Sequence, residues 1–418
     1  MCTIRCVAIL TALAFVQSAS KSAHGQGASI ETPQLSLKPS IDFVDISFEN
    51  ASPLWYEIDS AKTLQLHLIY DNERSSPNRA AGHFHFRLVG KPNADVRVEL
   101  NNLDNVWNGV ASSVARELKA AVISEDGVNW MSIPMDPTAD GRVGFQVNLG
   151  GGSLYIARVE PYRISDLEKL LGKIRKHTAV KISKIGTTHE GRDLEIVQIG
   201  SDAASNRVFL RARAHPWEAG GNWVLEGLID RLLWDDEAAK RCLQKYCVYI
   251  MPMANKDGVA RGKTRFNMLG KDLNRNWDKP TDASLAPENA ALEIWLASMI
   301  QSGKRLSLAI ELHNDGNGQL HISRPPVPGL DRYLDRMNSF ELLLRRYTWF
   351  TEGSTKAAFR NSGTLGDGWL ERFGVDAVVH EFNCNWIAGL NERPMAKHWK
   401  LYGEQLTLVF ETYFTDSQ

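Results

Sequence analysis

Near residue 160 the hydrophobic rhythm of the chain changes, and this change narrows the folds open to it. Upstream, over roughly 41–158, short stretches alternate apolar and polar residues: 64–69, 83–88, 96–100 and 143–147. Alternation with period two places every second side chain on one face of a strand. Turn residues separate the stretches, as in Lys91-Pro92-Asn93, Glu125-Asp126-Gly127 and Gly150-Gly151-Gly152. Many short strands of this kind predict an antiparallel β-sandwich. His83 and His85 share one strand face there, which is expected to be the outer face of a strand and not a metal site. Downstream of Tyr162, apolar strands and amphipathic helices alternate instead. Ser165 is expected to cap a helix carrying Leu167, Leu170, Leu171 and Ile174. Strands are expected over 195–199, 208–214, 247–253, 306–312 and 377–379, and helices over 222–233, 288–300, 339–347 and 396–410. Such alternation predicts an α/β domain with a mixed, mostly parallel sheet flanked by helices. In such sheets ligands gather beyond the carboxyl ends of the strands.

Charge excludes some partners. Lys and Arg total 48 against 49 for Asp and Glu, so no global positive field draws in nucleic acid or an anionic membrane. The start of the chain reads as an export signal: Arg5, an apolar run over 7–16, then small residues. That run is too short for a permanent membrane span. The expected organisation is a signal peptide over 1–25, a β-sandwich over 26–160 and a catalytic domain over 161–418, in an exported protein of the periplasm or exterior. Of five cysteines, Cys2 and Cys6 belong to the signal. Cys242, Cys247 and Cys384 remain, with a Cys242–Cys247 bridge and three buried thiols as the two alternatives.

Chemistry gathers where strands end. The expected strand 208–214 runs into His215-Pro216-Trp217-Glu218, and a helix follows. His and Glu three apart at such a turn can converge on one ion, and a catalytic zinc takes three protein ligands plus a water. The apolar run 306–312 leads in the same way into His313. Between them lie Arg265, Asp272, Asn274 and Arg275, of which the arginines suit carboxylate or oxyanion binding. Gly258 to Gly262-Lys263-Thr264 is one residue short of a phosphate loop. Glu381 closes an apolar strand, where a carboxylate is costly to bury unless it has a partner or a task. The adjacent His380 points to the opposite face.

In this order His215-x-x-Glu218, Arg265, Asn274-Arg275, His313 and Glu381 resemble the zinc metallocarboxypeptidases over roughly residues 165–415. The stretch 154–162 followed by Asp166-Leu167 resembles the cytosolic-carboxypeptidase-like branch, which carries a β-sandwich before the catalytic domain. The resemblance implies one zinc held by His215, Glu218 and His313, with Glu381 as general base and acid. It implies that Arg265 polarises the scissile carbonyl and that Asn274 and Arg275 hold the terminal carboxylate of a peptide or protein substrate. Asp272 would orient His215. The side-chain pocket would be read from 362–369, with Gly366 and Asp367 facing the substrate. Asp367 there would favour a basic C-terminal residue. Phe359 and Arg360 lie near the same pocket. Trp217 and Lys256 depart from the family pattern without being ligands. Two alternatives to an exported carboxypeptidase are a hydrolase of cell-wall peptides or N-acyl amino acids, and a non-catalytic binding protein.

Overall fold

Seven strands form the sheet that carries the site, in the spatial order Val180–Thr187, Asp193–Ile199, Tyr246–Met251, Asn206–Ala212, Leu308–Asp315, Ala377–Asn383 and Leu320–Ile322. In the computed structural model, residues 40–74, 76–357 and 363–416 are described. The expected signal segment with Cys2 and Cys6, and also Phe359 and Arg360, lies outside them. The four central strands run parallel, and the edge pairings are antiparallel. The central strands are buried on both faces, which is why Tyr246–Met251 reads as an apolar run, while the equally buried Leu308–Asp315 is apolar only at its start and carries Glu311 and His313 inside the protein.

One face of the sheet packs on the helices Gly220–Leu232, Leu330–Tyr347 and Ala396–Asp416, the other on Pro287–Gln301 and Leu365–Phe373. The helix Leu330–Tyr347 starts earlier than its apolar spacing suggests. The helix Ile164–Ile174 is capped by Arg163, whose N–H and guanidinium both bond Asp166. Ser165 is therefore inside the helix and not its cap. Among the described residues no helix is long and apolar enough to cross a membrane.

Two glycines let the helices Gly220–Leu232 and Ala396–Asp416 touch backbone to backbone. A Cβ on Gly403 would stand 1.9 Å from the Val224 carbonyl oxygen, and one on Gly227 would stand 2.0 Å from that of Lys400. Neither carbonyl can swing aside without breaking its helix. Gly403→Ala is therefore expected to lower unfolding free energy by about 2–3 kcal/mol. Gly172→Ala, with nothing within 4 Å of the added carbon, should be neutral or gain up to ~1 kcal/mol. Urea titration of both variants checks this contrast, and equal effects would contradict it.

The upstream region folds as two five-stranded sheets with a shared apolar core, including Phe84, Phe86, Leu88, Phe145 and Ile156. Its pairings are antiparallel except for Leu64–Leu68 beside Asp95–Asn101, which is parallel. A small third sheet, Asp71–Asn72, Arg79–Ala80, Asp104–Trp107 and Val110–Ser113, projects from it. His83 and His85 are not on an outer face: both are buried. The segment 48–52 covers them, with Ser52 bonding His85 through its N–H and its hydroxyl. The His83 N–H reaches Thr264 Oγ1 across the seam. Burial pushes the His83 imidazole down to about 4, so it sits there neutral. Cys242, Cys247 and Cys384 are buried free thiols, so no Cys242–Cys247 bridge forms.

Candidate metal centre

A left-handed residue ends the first strand of the site. Arg213 has φ 64°, a conformation that costs a side chain with a Cβ of order 1 kcal/mol. Its guanidinium holds the turn that follows, donating to the Pro216 carbonyl at 2.8 Å and to Asn222 Oδ1 at 3.2 Å. The chain therefore bends sharply after Ala212 and turns His215 and Glu218 toward the neighbouring strand.

That neighbour brings His313. The strand runs on through Asp315, so His313 lies within it and not beyond it. Next to it, Asn314 Oδ1 accepts the Gly220 N–H at 2.8 Å, which ties the two turns together. In register, His313 stands opposite Glu381 on the adjoining parallel strand. His380 faces the other way, as its neighbour's orientation requires, and its Nε2 is 2.6 Å from the Tyr402 hydroxyl.

Three donors converge. The Nδ1 atoms of His215 and His313 are 3.2 Å apart. Glu218 reaches both, Oε1 to His215 Nδ1 at 2.8 Å and Oε2 to His313 Nδ1 at 2.6 Å. For bonds of about 2.05 Å, the edge of a tetrahedral zinc site is roughly 3.3 Å. The spacing of the two nitrogens matches that edge, and the chemistry of the set suits a divalent ion. The residues therefore fit zinc. Burial works to raise the Glu218 carboxyl, but the two imidazoles outweigh it and hold it below its usual range.

The far nitrogen of each imidazole is also held. His215 Nε2 is 3.1 Å from Asp272 Oδ1, and His313 Nε2 is 3.1 Å from Asn274 Nδ2. Such outer contacts fix ring orientation and leave Nδ1 for the ion. Asp272 serves twice, since its other oxygen accepts Arg265 Nε at 2.8 Å. Below the centre, a fully buried pair, Arg211 and Glu311, joins the two strands at 2.8 Å. Arg211 also donates to the Leu273 carbonyl at 2.8 Å, between Asp272 and Asn274.

The open side is a cleft lined by Glu381, Arg265, Arg275, Asn274 and Thr364, together with residues of the upstream region. Glu381 Oε2 is buried with no hydrogen-bond partner among the described residues. Burial and the neighbouring Asp315 carboxylate push its carboxyl well above the usual range. Arg275 donates to the Asn274 carbonyl at 2.7 Å and forms no ion pair among the described residues. Asn274, expected on the substrate carboxylate, has its amide engaged by protein at both ends: Nδ2 at His313 and Oδ1 accepting the Leu365 N–H at 2.9 Å.

Gly366 and Asp367 do not face this cleft. Thr364 caps the helix Leu365–Phe373, and Asp367 turns back onto the Thr364 hydroxyl at 2.9 Å. Gly366 faces Ser323, whose Oγ lies 2.7 Å from where a Cβ would stand. The run Thr364-x-x-Asp367 is a helix-start signature, and that signal assigns Asp367 to the cap and not to substrate. Trp217 is buried beneath the Arg158 guanidinium, 3.6 Å from ring to cation, and Lys256 is buried in a pair with Glu195 at 2.5 Å.

Comparison with known proteins agrees with this geometry. The zinc carboxypeptidase family profile matches residues 167–318, a stretch that ends before Glu381. An uncharacterised protein of Zymomonas mobilis is 31% identical over 169 residues, 40% of this chain and 43% of its own length. Human cytosolic carboxypeptidase 1 is 32% identical over 144 residues, 30% of this chain and 12% of its own. The chain thus spans less than half the length of these relatives. A metallo-carboxypeptidase from Burkholderia cenocepacia superposes with a TM-score of 0.78 at 20% identity, covering 90% of this chain and all of that one; at this identity the likeness is one of fold. Residues 167–318 thus match the zinc carboxypeptidase family, within a chain whose fold, upstream sheets included, is that of the metallo-carboxypeptidase it superposes on.

Proposed function

We propose that the protein is a zinc-dependent carboxypeptidase that removes the C-terminal residue of peptides or proteins. The observation behind this reading is the convergence of two Nδ1 atoms and one carboxylate, with Glu381 in register beside them. His215, Glu218 and His313 would hold the zinc, which when bound supplies Lewis acidity toward a water and a scissile carbonyl.

The chain's own groups account for the remaining steps. Glu381 takes the proton of the attacking water on its unpartnered oxygen and returns it to the departing amine. Arg265 has Nε fixed by Asp272, so its terminal nitrogens face the cleft and stabilise charge on the carbonyl oxygen. Arg275, without an ion-pair partner among the described residues, offers its guanidinium to the substrate's terminal carboxylate. Asn274 contributes by steadying His313. With the export signal read at 1–25, the reaction takes place outside the cytoplasm, unlike that of relatives named cytosolic.

The test is direct. The purified protein is expected to hold about one zinc per chain and to release free C-terminal amino acids from a library of N-blocked peptides. Release of amino acids only from muropeptides would move the substrate to the cell wall. Bound zinc with no hydrolysis of either would favour a binding protein.

A further inference from the structure

We propose that Trp107, brought into the cleft by the upstream sheets, is a positioning residue for Arg265 and Arg275. This inference rests on the carboxypeptidase reading and deepens it: the sandwich becomes a working part of the catalytic site.

The local sequence dictates the placement. Trp107 ends one strand of a hairpin and pairs with Val110 across Asn108-Gly109. Both turn residues have positive φ, 52° and 73°, the tight two-residue turn that Asn-Gly favours. Asn108 N–H is anchored on Asn78 Oδ1 at 2.8 Å. The turn and this bond set the position of Trp107, whose side chain lines the cleft.

Two cations share that indole. The Arg265 guanidinium carbon lies 4.3 Å from the ring centroid and that of Arg275 lies 5.2 Å away. Side by side, the two guanidiniums repel each other. A carboxylate placed between them would relieve the repulsion but would occupy the place meant for substrate. Asp272 already holds Arg265 Nε, and the Asn274 carbonyl holds one Arg275 N–H; the electron-rich face of an indole attracts both cations without engaging the N–H groups that remain. The same upstream region fixes the backbone beneath. Asp71 Oδ2 accepts the N–H groups of Arg265 and Phe266, each at 2.8 Å, and Lys263 pairs with its other oxygen at 2.7 Å. Arg74 N–H bonds the Gly270 carbonyl at 2.7 Å. The loop bearing both arginines is therefore held from the sandwich side, by contacts about 160 to 200 residues apart in sequence.

Trp107→Ala, Trp107→Phe and Val110→Ala, each in the full chain with zinc, separate positioning from folding. Steady-state kinetics would use the best substrate of the N-blocked peptide library. In Trp107→Ala, KM is expected to rise about tenfold through Arg275 and kcat to fall about tenfold through Arg265, at unchanged zinc content. Trp107→Phe should recover both to within about threefold, because an aromatic face remains. Val110→Ala, across the turn and exposed, should match the parent. Kinetics of Trp107→Ala within about twofold of the parent would overturn the proposal. A crystal structure of Trp107→Ala decides it independently of turnover. Displaced guanidiniums support the proposal, and unmoved ones refute it. A parent enzyme without turnover would instead count against the carboxypeptidase reading, while that structure still decided the role of Trp107.

Discussion

Glu381→Gln is expected to lower kcat by about 10²- to 10⁴-fold, the range for losing a positioned general base, with zinc content and KM near those of the parent. The reasoning is geometric. Glu381 stands in register with His313 on adjacent parallel strands, so its carboxylate is set beside the proposed zinc ligands without being one of them. One of its oxygens is buried and has no hydrogen-bond partner among the described residues, a costly arrangement that persists where a task requires it. Glutamine keeps the shape and one oxygen but cannot accept and return a proton. The strand, its pairings and the three donors are expected to stay as they are, so the loss should fall on kcat alone. Stopped or steady-state assays beside metal analysis would measure it. A variant that kept more than about a tenth of parental kcat would show that the proton goes elsewhere.

The parts of this site that the sequence discloses are those fixed by strand ends. His215, Glu218, His313 and Glu381 each follow or close an apolar run, and in a parallel sheet such positions meet at one edge. The registers that bring His313 opposite Glu381 and Ala212 opposite Leu312 follow from burying the same apolar faces. Contacts made by side chains at long range were not legible. Asn274 reads as a substrate binder, and nothing in its neighbours shows that its amide also meets Leu365 and His313. His83 looks solvent-facing because the segment that covers it, 48–52, carries no pattern pointing to it. Arg213 gives no hint of its left-handed backbone, since that strain is sustained by Pro216 and Asn222 and not by its own preference. Asp367 and Trp107 are intermediate cases. A Thr-x-x-Asp cap and an Asn-Gly turn announce local structure, but neither says what stands opposite in space.

The terminal-carboxylate role of Arg275 leads to the second large effect. Arg275→Gln is expected to raise KM about 100-fold or more with kcat less affected, since removing one partner of a buried charge pair costs about 2–5 kcal/mol. Glutamine leaves one amide where the guanidinium offered a planar fork, and lysine would not restore the paired geometry. The decisive comparison uses substrate as well as protein. Amidating the C-terminus of a peptide removes the same charge pair from the other side. The parent enzyme should therefore lose about as much on the amide as Arg275→Gln loses on the acid. The variant should lose little more when both changes are made, because the interaction is already gone. If the two losses added in full, Arg275 and the carboxylate would be acting independently, and the fork would have to be assigned to another part of the substrate. If the parent cleaved the amide as readily as the acid, the enzyme would not require a free chain end and the exopeptidase reading would fall with it.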